Sequence, residues 1–261
     1  MLPEFDLTGR TVLVTGAGRG IGKGIARVLA EAGCDVAVNG FSEGNAARVA
    51  AEVQALGRRG ISIAADATKL SEMERVAERV LNEFGHLDIL INCCGDSIRG
   101  TVAALPDARG HVMTEADWHS IIDINLTQAF TGCQAFGRHL LQRRSGSVIN
   151  ISSFAALRPR ANIVAYAAAK AGLTRFTESL ALEWAPYDVR VNAIAPGQFP
   201  DADTMTAEQL QQRDEQAKGT IPLRRVGRLR EVGLLASYLA SDAAAYVTGQ
   251  TFYIDGGLTL V

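Results

Sequence analysis

No stretch of this 261-residue chain is apolar for long enough to span a bilayer, so a membrane-crossing helix is not expected. The opening residues, Met-Leu-Pro-Glu-Phe-Asp, lack the basic start and apolar core of a secretory signal, and a cytoplasmic location is expected from that. A dominant charge sign is missing too. Lys and Arg total 26 against 28 Asp and Glu, a net charge of −2, which excludes bulk attraction to nucleic acid or anionic lipid. Cysteine is scarce. Cys34, Cys93, Cys94 and Cys133 form no Cys-x-x-Cys pair and have no histidine cluster beside them, so neither a zinc site nor a disulfide framework is expected. Adjacent Cys93 and Cys94 close an apolar run that starts at Leu87 and read as small buried residues. Repeats, low-complexity tracts and linkers are also absent. That leaves a single domain over residues 1–261.

What is present is an alternation of short β-branched runs and amphipathic stretches. Strands are expected at Thr11–Thr15, Asp35–Val38, Ile61–Ala64, Leu87–Ile91, Ser147–Ile151, Val189–Ile194 and Thr251–Ile254. Helices are expected at Ile21–Ala32, Glu43–Leu56, about Ser71–Phe84, Glu115–Arg143, Val164–Trp184 and Arg230–Leu239. Near-continuous apolar strands between helices point to a parallel sheet covered on both faces. The fold class is therefore α/β, a single-domain, Rossmann-like, doubly wound parallel sheet of seven strands.

The first strand runs into Thr15-Gly-Ala-Gly-Arg-Gly-Ile-Gly22 and then a helix. Glycines at such a turn let the backbone approach a pyrophosphate, and the helix start offers free N–H groups and a positive dipole end. Gly16, Arg19, Gly20, Ile21 and Gly22 are thus candidate nucleotide-binding residues. An acid closing the second strand would favour NAD(H), but that end reads Asn39-Gly-Phe-Ser42. Arg19 is placed to meet a 2′-phosphate, so NADP(H) is preferred and NAD(H) is kept as the alternative.

Tyr166 and Lys170 stand one helical turn apart on one face, and Ser153 follows a strand end thirteen residues before the tyrosine. An ammonium beside a phenol favours the phenolate, so Lys170 is expected to lower the Tyr166 pKa toward neutrality. A tyrosine tuned in that way exchanges a proton with a carbonyl or alcohol.

These residues resemble, in order and over nearly the whole chain, the classical short-chain dehydrogenase/reductase family. Its pattern is matched by Thr15-Gly-x-x-x-Gly-Ile-Gly22, Asp66, Leu87-Asp-Ile-Leu-Ile-Asn92, Asn125, Ser153, Tyr166-x-x-x-Lys170, Asn192-Ala-Ile-Ala-Pro-Gly197 and Asp255-Gly-Gly257. The branch most similar is that of the 3-oxoacyl-carrier-protein reductases and small-polyol dehydrogenases. The resemblance implies interconversion of a ketone and a secondary alcohol, with Ser153, Tyr166, Lys170 and Asn125 as the catalytic set. Asn125 would hold a water linked to Lys170. Asp66 would contact the adenine and Asn92 the adenosine ribose, while Gly95, Pro196 and Gly197 would line the cofactor. It also implies a small-molecule substrate, a carrier-protein-linked one included, and a homodimer or homotetramer packed through Glu115–Arg143 and Val164–Trp184. Phe130, Phe136, Leu140, Phe176 and Leu180 suit either that contact or packing on the sheet. An alcohol or polyol dehydrogenase using NAD(H), and a catalytically silent nucleotide sensor, are the alternatives.

Three features depart from the family's pattern. Asn92-Cys-Cys-Gly95 replaces its usual Asn-Asn-Ala-Gly, and residues 96–113 form a longer loop. Gln-Phe-Pro-Asp-Ala-Asp-Thr204 follows Gly197, with no hydroxyl residue near the glycine. The polar segment 198–220 reads as a mobile lid.

Overall fold

The computed structural model describes residues 2–261. Seven parallel strands form one sheet in the order β3-β2-β1-β4-β5-β6-β7. They are β1 (Thr11–Val14), β2 (Asp35–Gly40), β3 (Gly60–Ala64), β4 (Ile89–Asn92), β5 (Gly146–Ile151), β6 (Val189–Pro196) and β7 (Thr251–Ile254). Between them lie α1 (Gly20–Glu31), α2 (Glu43–Ala55), α3 (Leu70–Phe84), α4 (Glu115–Ile122), α5 (Gln128–Arg143), α6 (Val164–Trp184), α7 (Ala207–Lys218) and α8 (Leu229–Ala240).

Side chains alternate across a strand, so each strand feeds two cores. Val12, Val14, Val36, Val38, Ile149 and Ile194 face Ile25 and Leu29 of α1, Val49 and Val53 of α2, and Val232 and Leu239 of α8. Leu13, Leu90, Val148 and Val191 face Met73 and Val80 of α3, Phe136 and Leu140 of α5, and Trp184 of α6. Phe136, Leu140 and Leu180 thus belong to the core, whereas Phe130 is about half exposed.

One expectation is corrected. The helix foreseen over Glu115–Arg143 is broken by a π-helical turn at Asp123–Thr127. The segment read as a mobile lid contains a regular helix, α7, opened by a Thr206/Gln209 capping box. The longer loop 96–113 is pinned to the body by Gly100 N, which donates to Asn162 O at 3.0 Å. Its tip leaves Val102 and Leu105 exposed.

Strand order reverses between β1 and β4, both central in the sheet. Ligands of open parallel sheets bind outside the carboxyl ends at that reversal. The glycine turn leaves β1 there and Cys93-Cys-Gly95 leaves β4 there.

Candidate active site

A cleft of about 780 Å³ lies over these strand ends. Gly16, Arg19, Gly20, Ile21, Gly22, Gly95, Tyr166 and Lys170 line it. So do Phe41, Ser42, Asn45, Ile124, Ser152 and Phe199, none of which the motifs point to. Phe41 carries a sequence signal in hindsight: it is a large aromatic in the turn after β2, and it is 85% exposed.

The glycine turn is shaped by two residues that need the left-handed region, Gly16 (φ 63°) and Gly20 (φ 56°). A Cβ on Gly16 would stand 3.0 Å from Cys94 Cα, so the turns after β1 and β4 are in contact. Thr15 Oγ1 reinforces that contact by accepting from Cys93 N at 3.0 Å. All four cysteines are free. Cys93 and Cys94 line the cleft, and burial pushes their thiols up to about 12 and about 11, so both carry their protons near neutrality.

Ser153 is buried just past β5, and its Oγ accepts from Ala155 N at 3.1 Å. Tyr166 lies in the first turn of α6. Burial raises its phenol above the ordinary value, and a hydrogen bond with Ser153 partly offsets that. Lys170, one turn on, is buried and donates from Nζ to Ile151 O at 2.8 Å. Burial brings its ammonium down to about 8. The expectation that Lys170 pulls the Tyr166 pKa down is therefore not met. The ammonium lies 5.8 Å from the centre of the tyrosine ring and is held by a backbone carbonyl, while removal from water dominates at the phenol.

Asn125 sits inside the π-helical turn. Its Nδ2 donates to Ile121 O at 2.9 Å and to Asp96 O at 2.7 Å, tying the turn to the chain after β4. Its Oδ1 is buried with no partner. A Cβ on Gly95 would meet that Oδ1 at 3.0 Å and Lys170 Nζ at 3.2 Å, so both groups flank the same bare glycine. Asn125→Ala removes the donor from two carbonyls and is expected to lower unfolding stability by about 2 kcal/mol in urea titration. An unchanged midpoint would show that the π-helical turn holds without the amide.

Other expected residues lie outside the cleft lining. Asn92 is turned inward: its Nδ2 donates to Asn150 Oδ1 at 2.9 Å, and the side chain packs on Gly132 of α5. Asp66 folds back on its own turn, accepting from Thr68 N at 2.9 Å and Thr68 Oγ1 at 2.7 Å. It shapes the approach to α3 as a local turn residue. Pro196 and Gly197 end β6 against Asp255, whose Cα would lie 2.7 Å from a Cβ on Gly197. Asn39 is also turned inward, donating to Ile63 O and Ala65 O. The acids flanking β2 are engaged elsewhere: Asp35 Oδ1 accepts from Arg59 N at 2.9 Å, and Glu43 accepts from Ser62. Arg19 precedes α1, is exposed, and makes no ion pair among the described residues.

These residues fit a nicotinamide dinucleotide. The turn has no Cβ where phosphates approach, the helix start is an anion site, and Asn125 Oδ1 awaits a donor. Among the described residues no cluster of His, Cys, Asp and Glu is arranged to hold a metal ion, and no helix is long and apolar enough to cross a membrane.

A family model described as enoyl-(acyl carrier protein) reductase matches residues 16–259. Glucose 1-dehydrogenase 2 of Bacillus subtilis (strain 168) is 37% identical over 257 residues, covering 98% of this chain and 96% of the relative. A 3-oxoacyl-[acyl-carrier-protein] reductase of Synechocystis sp. is 38% identical over 258 residues, covering 97% and 98%. The solved gluconate 5-dehydrogenase of Burkholderia cenocepacia, in complex with NADP and tartrate, superposes with a TM-score of 0.88 at 32% identity, covering 99% and 98%.

Proposed function

The chain belongs to the short-chain dehydrogenase/reductase family, and we propose that it is an NADP(H)-dependent oxidoreductase, a single domain that interconverts a ketone and a secondary alcohol. The observation that carries the cofactor choice is the end of β2. No carboxylate is available there for a ribose 2′-hydroxyl, and exposed, unpaired Arg19 stands across the same cleft. When bound, the nicotinamide supplies or accepts the hydride. The chain's own residues manage the oxygen and its proton. Tyr166 donates a proton to the carbonyl oxygen in reduction and takes it back in oxidation. Ser153 hydrogen-bonds the same oxygen, and Lys170 places a positive charge close to it as negative charge develops. Asn125 holds a water beside Lys170 through its unpartnered Oδ1.

Calorimetric titration tests the cofactor choice. Arg19→Ala is expected to weaken NADPH about 10- to 100-fold, the worth of charge-assisted hydrogen bonds to a phosphate, and to leave NADH within about twofold. Equal losses for both dinucleotides would overturn the NADP(H) assignment.

A second reading, a polyol or sugar dehydrogenase, is favoured over a carrier-protein reductase by the state of the basic residues. A carrier protein is acidic and needs a free basic patch. Arg143 is paired with Asp88 at 3.1 Å, and Arg144 with Asp188 at 3.1 Å. Arg158 donates to Leu258 O, and Arg160 lies over the Phe154 ring. These engagements speak for a free small molecule over a carrier-bound one. The assembly in this reading is a homodimer or homotetramer through α4–α5 and α6, where Phe130 and Leu182 remain exposed.

A further inference from the structure

The segment after β6 carries an acid close to the glycine turn. Asp201 Oδ2 accepts from Gly20 N, the first amide of α1, at 2.7 Å. Its other oxygen, Oδ1, accepts from Asp203 N at 3.1 Å and caps the short turn Ala202–Thr204. A second latch lies one helical turn along: Lys23 Nζ, almost buried, grips Asp203 and also Glu52 at 3.2 Å. Two residues before Asp201, Phe199 lines the cofactor cleft and packs on Gly227. Thr204, the hydroxyl residue nearest Gly197, is exposed and donates to Asp201 O at 3.0 Å, away from the glycine turn.

A 12-residue helix start has unpaired N–H groups and the positive end of the dipole. Arg19, at the cap position, has no side-chain hydrogen bond to supply. The acceptor comes instead from Asp201, 181 residues away in sequence. A carboxylate and a phosphate offer the same thing here, an anionic oxygen, and one N–H cannot serve both at full strength. Two anions on one helix start also repel.

We propose that Asp201 is a built-in competitor of the cofactor pyrophosphate, and that residues 200–206 form a strap that must release Gly20 for the dinucleotide to bind. The inference rests on the nucleotide-binding reading above. Only molecules with the strap released are competent, so the apparent affinity is reduced by that fraction. The strap lies within the segment 198–220, whose Phe199 lines the cleft. Cofactor loading and the shape of the cleft are therefore coupled through one carboxylate.

The test is calorimetric titration of NADPH, NADH and inorganic pyrophosphate into the full chain and three variants. Asp201→Asn keeps the shape and removes the charge. Asp201→Ser also removes the charge and keeps an oxygen to cap the turn, should the first variant fold poorly. Glu215→Gln removes a charge from the exposed face of α7 and is the control. Both Asp201 variants are expected to bind all three probes about tenfold more tightly, with Glu215→Gln unchanged. Hydrogen exchange over residues 200–206 is expected to quicken in the ligand-free Asp201 variants. If the parent binds dinucleotide and the Asp201 variants bind equally or more weakly, the strap proposal is overturned and Asp201 is only a turn cap. If neither parent nor variants bind any dinucleotide, the nucleotide reading falls and the strap proposal falls with it.

Discussion

Tyr166→Phe is expected to cut ketone reduction by about 10³-fold, within the range that a positioned proton donor contributes, and to leave cofactor binding and folding intact. The substitution deletes one oxygen. The ring remains at the start of α6, so the core does not change, and a difference in unfolding free energy below about 1 kcal/mol is expected. The phenol has a direction of action as well. Burial holds its pKa above the ordinary tyrosine value, so at neutral pH the group carries its proton. It is therefore set to donate, which suits reduction. Reduction should run level through neutrality and decline only at alkaline pH. Oxidation of the matching alcohol needs the deprotonated phenol and should climb as pH rises. Initial rates in both directions across pH, for parent and variant, check this. Retention of more than about a tenth of the parent's reductive rate in the variant would remove Tyr166 from the proton step.

Lys170→Met is expected to abolish turnover and yet make the ligand-free chain more stable near neutrality. The ammonium is fully desolvated and has one backbone carbonyl for company, with no carboxylate paired to it. Burial brings its pKa from 10.5 to about 8. The folded chain therefore binds this proton more weakly than the unfolded chain does. At this site the unfolded state holds more of the proton between about pH 8 and 10.5, so the site's own contribution to stability rises with pH across that window. Below about pH 8 the full cost of a buried charge is present. An apolar side chain of similar length removes the cost, so the variant is expected to be about 1–3 kcal/mol more stable than the parent at pH 7, with that difference shrinking as pH rises toward 10.5. Urea unfolding of both proteins at pH 7 and pH 10 measures it. A variant less stable than the parent at pH 7 would mean that the Ile151 contact outweighs the burial cost. A destabilising charge kept at this position is what the proposed chemistry would require.

Much of the fold could be read from local pattern. The run from Val164 to Trp184 is a helix at both of its expected ends, since small and apolar residues recur there at helical spacing and Pro186 stops it. Strand runs such as Val12–Val14 are apolar throughout because both faces are covered. The break at Asp123–Thr127 was not legible. It coincides with a tertiary bond from Asn125 to Asp96 O, 29 residues away, and no local composition marks it. Site residues divide in the same way. Tyr166 and Lys170 reach one cleft because helix spacing alone puts them there. Asn92 and Asp66 carry the right letters, but their side chains are bonded to Asn150 and Thr68, partners that a motif does not name. Asp201 belongs to no motif, and only the fold brings it to Gly20.

We propose above that this chain moves a hydride between a nicotinamide and a carbonyl carbon, with Tyr166 handling the proton. The most direct measurement is NADPH consumption against a panel of 3-oxoacyl thioesters, oxo acids derived from sugars and cyclic ketones, with the alcohol product quantified. At least one ketone is expected to be reduced, one alcohol forming per NADPH consumed, and Tyr166→Phe is expected barely to turn over. Tight NADPH binding with no alcohol from any ketone would contradict it and leave a nucleotide sensor in its place.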